Sequence, residues 1–250
     1  KYVGHDNNRD FVTLSQSDTR AIAAIYNLEW FPQLLVEKHQ MSSTGTRYFV
    51  PPNHDPIAEN VPAGIYHWGG VFGQHMATDM TAQGLAGVSQ HYIFDDYWPG
   101  STETSIWKNV IAFLTEAASV QTASPIYVEP SELRVGGKGL SEYKKSINMP
   151  DPWPGGWWRL RDIVEYELVA TWALVEALLT DDRVQVQWIF VRHSLKRRLL
   201  RYAHSIGAPA QLLRHLIVVQ APGQVVERPA VRNIERHESH IRHHQQVPLR

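Results

Sequence analysis

The chain has 250 residues, 43% of them hydrophobic and 20% charged, which fits one large or two small globular domains rather than a disordered or membrane protein. Its formal net charge is −1, so the molecule as a whole has no electrostatic attraction for nucleic acid or an anionic membrane. No cysteine is present, which excludes disulfides and a thiol nucleophile and leaves any metal to His, Asp or Glu.

Tyr2 to Gly4 reads as a strand end, and "NNRD" at Asn7 to Asp10 follows it. Ser15 or Ser17 then caps a helix through "DTRAIAAIYNLEWF", with apolar Ile22, Ile25, Tyr26 and Leu28 to Trp30 near helical spacing and Pro32 as its stop. Gln33 to Val36 reads as a short strand that delivers His39 at its carboxyl end, where open α/β sheets place ligands. A second helix has Pro62 near its start and Gly84 just past its end, and "SQHYIFDDYWPGSTET" reads as a surface loop. Val110 to Leu114 is a buried strand by pattern, with Glu116 at its far end. After "DPWPGGWW" an amphipathic helix spans about Leu160 to Leu179. It carries Glu165, Glu167 and Glu176 and falls short of the about 18 uninterrupted apolar residues of a membrane span, so no membrane span and a soluble protein are expected. From about Val191 onward Arg and His recur, acids thin out, and the end reads as a solvated basic tail.

Three of these positions carry chemistry. Arg9 can hold a carboxylate with two parallel N–H bonds and Asn8 can add a third; alternatively the amides and Asp10 make a turn and Arg9 pairs locally. Glu116 beside "VIAFL" is partly desolvated, which raises a carboxyl pKa and suits a general base, although a strand-end Glu is also a common surface residue. His39 is a single imidazole, with Glu37 and Gln40 placed to orient its ring if it binds a metal.

The strings "YVGHDNNRDF", "HQMSSTGTRYFVPP", "LTEAASV" and "DPWPGGWWRLRDIVEYE" resemble, in the same order, a bacterial branch of the carboxypeptidase A-like zinc metallocarboxypeptidases, over about Lys1 to Glu176. The resemblance implies an α/β fold, a mixed sheet flanked by helices. It implies removal of C-terminal residues from peptides bearing a free C-terminal carboxylate, one Zn²⁺ ion, and a secreted or periplasmic protein. It makes Asn8 and Arg9 the substrate carboxylate clamp, His39 the third zinc ligand and Glu116 the general base. Tyr97 becomes the substrate-binding loop tyrosine, with Tyr92 or Trp98 as alternatives for that place.

The chain departs from the family in one respect. The first two zinc ligands belong to an H-x-x-E motif upstream of the Asn-Arg pair, and no His from His5 to His244 begins one. The expectation is therefore a fragment incomplete at its N-terminus: a partial catalytic domain over 1–179, inactive alone, then a basic tail over 180–250. The Arg- and His-rich composition of that tail suits a shifted reading frame beginning between about Leu179 and Leu199. His237, His240 and His244 could bind a metal weakly at helical spacing, and Trp153, Trp157 and Trp158 either form a binding platform or staple a helix to the core. Two rival functions fit the same residues: a noncatalytic module for peptide C-termini, and a zinc amidohydrolase acting on N-acyl amino acids. Peptides tested against N-acyl amino acids separate the latter.

Overall fold

The computed structural model describes residues 4–180. The strand end at Tyr2, the basic tail and the His237 to His244 tract lie outside the described residues.

A four-stranded mixed sheet organises the described residues, in the order β1 (Leu34–Met41), β4 (Ile111–Ala118), β2 (Tyr48–Phe49), β3 (Val88–Ser89). β1 runs parallel to β4, β2 antiparallel to β4, and β3 parallel to β2. A second, two-stranded antiparallel sheet joins β5 (Ile126–Val128) to β6 (Gly156–Trp158). Four α-helices accompany them: α1 (Ser17–Ala24), α2 (Ala63–Ala82), α3 (Ser101–Ile106) and α4 (Leu160–Thr180). A mixed sheet flanked by helices is thus the observed architecture.

Successive side chains of a strand point to opposite faces, and β4 sorts its residues accordingly. Phe113 and Thr115 face α2 and α4: Phe72 of α2 lies 6.4 Å from the Phe113 ring, and Tyr48 Oη is 3.0 Å from Thr115 Oγ1 and 2.9 Å from the Glu167 carboxylate of α4. Lys38, on the same face of β1, also pairs with Glu167. Leu114 and Glu116 face the other way, where Leu114 joins Phe49, Tyr92, Phe94, Leu140 and Met149 in a core cluster and α3 packs on the sheet. The sheet therefore has a structural face under α2 and α4 and a second face bearing Glu37, His39 and Glu116.

Close packing on the first face needs Gly73, because a side chain there would begin 1.8 Å from the Pro51 carbonyl oxygen. Arg47 is fully buried beside the start of α4, its guanidinium carbon 4.4 Å from the centre of the Trp153 ring and 5.0 Å from that of Trp158. Its Nη2 donates to the Ser43 and Gly45 carbonyls, each at 2.7 Å, and Trp158 Nε1 donates to the Ala118 carbonyl at 2.8 Å. Trp153 and Trp158 thus staple the sheet to the segment that opens α4, and the platform reading falls to the exposed Trp157 alone.

Several boundaries differ from the sequence expectation. β1 continues to Met41 and β4 to Ala118, so His39 and Glu116 lie within their strands rather than beyond them. The first helix stays α-helical only to Ala24 and widens into a π-helical turn over Ile25–Trp30, ending at Phe31 with φ 45°. Its apolar Ile22, Ile25, Leu28 and Trp30 are exposed. The 90–104 stretch is not a surface loop, since Tyr92, Phe94 and Asp96 are buried and its end forms α3. Backbone bonds from His91 N to Pro52 O and from Ile93 N to Lys138 O satisfy the polar groups of that buried segment.

Candidate functional site

The segment that carries Asn8 and Arg9 is built around Asp10. Asp10 is fully buried, and its carboxylate accepts from Thr13 Oγ1 at 2.6 Å, Ser15 Oγ at 2.6 Å, Ser15 N at 3.0 Å, Gln16 N at 2.8 Å and the Thr19 hydroxyl. His5 Nε2 lies 3.1 Å away. Burial alone would raise this carboxyl, but the donors from Ser15, Thr13, Thr19 and Gln16 hold it well below the usual carboxylate range. Just before it, Asn7–Arg9 forms a 3-10 turn capped by Asp6, whose side chain accepts from Asn8 N at 2.8 Å. Phe11 N donates to the Pro99 carbonyl at 3.0 Å, which ties the turn to the loop ahead of α3. The "NNRD" run is therefore both a turn and a mount: Asp10 anchors it, and Asn8 and Arg9 project from it.

Arg9 lies over the Trp98 ring, its guanidinium carbon 4.2 Å from the ring centre, and Nη1 donates to the Asn8 carbonyl at 2.8 Å. No carboxylate pairs with it among the described residues. It lines a cavity of about 280 Å³ together with Asp6, Asn8, His39, Phe94, Trp98, Glu103, Leu114 and Glu116. Asn8, Arg9, His39 and Glu116, drawn from three distant parts of the sequence, meet in that one cavity.

His39 and Glu116 are direct partners in the parallel β1 and β4 register, side by side on one face. Glu116 is only 8% exposed, and its Oε2 is buried without a hydrogen-bond partner. Burial pushes its carboxyl up to about 7, with His39 opposing the shift. Glu37, two residues before His39 on the same face, lies 3.4 Å from His39 Nε2 and accepts from the Ser101 hydroxyl of α3. The Glu37 hydrogen bond raises the His39 pKa against the effect of burial; Glu37 in turn is held low by His39 and Ser101 although burial acts to raise it. Of the two residues placed to orient His39, Glu37 does so and the exposed Gln40 does not.

Tyr97 does not line the cavity. Its side chain is exposed and its hydroxyl donates to the Ile57 carbonyl at 3.2 Å, whereas Trp98, the next residue, faces inward beneath Arg9. Glu103, not singled out from the sequence, does line it. A larger cavity of about 520 Å³ between the Pro51 to Ile57 segment and the start of α2 holds none of the residues singled out from the sequence.

A catalytic zinc takes three protein ligands. With Nε2 turned to Glu37, His39 has Nδ1 left for a metal, the arrangement in which a carboxylate orients a ligating imidazole. Among the described residues, however, no group of three His, Asp or Glu side chains could hold a metal ion. These residues supply one candidate ligand and do not by themselves fit the zinc site that the resemblance implies. No protein-family model, curated protein or solved structure matches the chain.

Proposed function

We propose that the cavity receives the C-terminus of a peptide and that the protein is of the zinc metallocarboxypeptidase kind, with Arg9 and Asn8 taking the terminal carboxylate and Glu116 acting as general base. The supporting observation is the convergence of a carboxylate clamp without a carboxylate and a desolvated acid poised near neutral pH on one small cavity. A guanidinium seated over Trp98, with Nη1 tied to the Asn8 carbonyl, is held in place and has further N–H groups that suit a carboxylate. Glu116, with a pKa of about 7, can take a proton from water as it adds to the last peptide carbonyl and return it to the departing amine. His39 is offered as one zinc ligand, the other two not being among the described residues.

A second reading, a noncatalytic module for peptide C-termini, draws support from that incomplete donor set. Both readings require free-acid peptides to bind the 250-residue chain at least about tenfold better than their amides, with the preference removed by Arg9→Ala. Equal binding of acid and amide, measured calorimetrically, would discard both. The two part on turnover: release of C-terminal amino acids in the presence of Zn²⁺, by this chain or a longer product of its gene, belongs to the peptidase. Acid-selective binding with no release belongs to the module.

A further inference from the structure

Two glycines, Gly69 and Gly73, lie on the buried stripe of α2, and packing explains only one of them. At Gly73 any side chain would collide with the Pro51 carbonyl. At Gly69, one turn earlier, no atom outside its own stretch of helix lies within 4 Å of where a Cβ would start. Glycine is less favourable than alanine inside a helix, so a buried glycine that packing does not require is informative. The helix touches the chain at Pro51 and draws away from it toward Gly69, and the space that opens is the cavity of about 520 Å³. Gly69 and Gly70 give that cavity a strip of bare helix backbone, and Ile65, Ile106 and Phe113 give it an apolar wall.

The polar groups of the lining are almost all committed. Asp96 is only 5% exposed; it accepts from Ala58 N at 3.0 Å and faces Asn53 Nδ2 at 3.4 Å. The Tyr66 hydroxyl, which also lies beside Asp96, accepts from Ala58 N at 3.0 Å and donates to the Ala58 carbonyl at 3.1 Å. His54 Nδ1 is 2.8 Å from the Asp55 carbonyl oxygen, and Asn148 Nδ2 donates to the Gly139 carbonyl at 2.8 Å and the His91 carbonyl at 3.4 Å. Asp55, His67 and His91 are exposed. Among the buried polar side-chain atoms of this lining, Asn53 Oδ1 alone has no hydrogen-bond partner. An unpaired buried acceptor is unfavourable, and a ligand N–H or O–H relieves it. Bare backbone at Gly69 lets a flat group approach as no side chain would. The volume falls within the range of small-molecule sites, and no lining residue is shared with the cavity of Arg9 and Glu116. We propose that this cavity is a second binding site, for a small planar aromatic molecule that lies against Gly69 and donates one N–H or O–H hydrogen bond to Asn53.

Indole and benzofuran have nearly the same shape and differ in the ring N–H, which makes them the probes. Indole should bind the 250-residue chain with a dissociation constant of about 1 mM or below, and roughly tenfold more tightly than benzofuran, by calorimetry. Gly69→Ala should leave the thermal midpoint equal or higher, since alanine suits a helix interior and has room there, while weakening indole several-fold. Gly69→Met, whose flexible side chain fills the gap, should abolish binding. Indole bound equally by the parent and Gly69→Met, or not bound by the parent, would remove the site. Equal binding of indole and benzofuran would remove the donor to Asn53 and with it the ligand class. A lowered midpoint in Gly69→Ala would mean that packing requires this glycine after all, and the inference would fail at its first step.

Discussion

Asp10 and Glu116 are both buried carboxylates, and the fold treats them in opposite ways. Asp10 gathers hydroxyl and backbone donors from Thr13, Ser15, Gln16 and Thr19 and is held ionised far below its ordinary range. Glu116 has an orphaned Oε2 and a pKa pushed up to about 7. Burial acts in the same direction on both; the donors decide the outcome. A saturated carboxylate has no capacity left for a ligand and serves to hold backbone, whereas an unsaturated one costs stability and is available for proton transfer. The difference separates the mount of the site from its chemistry.

The sharpest way to test that separation is at Glu116. Glu116→Gln should reduce turnover by about 10²–10⁴-fold in a peptide-cleaving form of the protein, the range lost when a general base is removed. It should leave thermal stability unchanged or improved, because an unsatisfied buried acid has been replaced by a neutral group. Release of C-terminal amino acids and a thermal melt measure the two halves of this outcome. A marked loss of stability with normal turnover would place Glu116 with Asp10 as a structural carboxylate.

The opposite pattern is expected at Asp10. Asp10→Asn keeps the size but replaces one acceptor oxygen with a donor facing hydroxyls and N–H groups that already donate, so the network is both weakened and mismatched. The thermal midpoint should fall by roughly 5–15 °C, and binding of free-acid peptides should weaken about tenfold or more through displacement of Asn8 and Arg9. The pKa of Glu116, on a different element, should not move. Unchanged binding in Asp10→Asn would mean that the turn is held chiefly by Asp6 and the Phe11 to Pro99 backbone bond.

The elements that carry the cavity were largely legible in the sequence, the contrast between the two carboxylates was not, and the gaps have physical causes. The apolar runs of β1 and β4 and the periodicity of α2 and α4 located those elements, because burial on a sheet face or a helix stripe leaves a regular pattern. The ends of the strands were misplaced, since Glu37, His39 and Glu116 are polar residues inside the strands, His39 and Glu116 lining the cavity and Glu37 bonded to His39, and they interrupt the apolar signal. In the 90–104 stretch no period exists from which to tell an inward residue from an outward one, so Tyr97 and Trp98 could not be distinguished. Glu103 in the first turn of α3 has the appearance of an ordinary helix-end acid that complements the helix dipole. Only its burial, which depends on the distant Asn8 turn and on β1, sets it apart. Asp10 likewise looks like a turn residue until its donors, up to nine positions downstream, are seen around it.

The smallest expected effect is also the most direct reading of the contrast, the dependence of stability on pH. In the folded chain Glu116 has a pKa of about 7 against an ordinary value of 4.5. Below about pH 4.5 the group is protonated in both folded and unfolded chains and contributes no pH dependence. Between 4.5 and about 7 the unfolded chain gives up the proton while the folded chain keeps it, so stability falls as pH rises through this window and levels off above it. Asp10 has the opposite sign: its folded pKa is depressed, so its contribution is present above the unfolded value of 3.8 and is lost only as the solution becomes strongly acid. Denaturant melts of the metal-free chain between pH 4.5 and 8, in the presence of a chelator, should therefore show a decline that is shallower in Glu116→Gln than in the parent. Subtracting one curve from the other isolates the contribution of Glu116 from those of the exposed histidines. A difference that is flat across the window would mean that Glu116 is ionised throughout it, and the acid in the cavity would then be paired rather than held for a ligand.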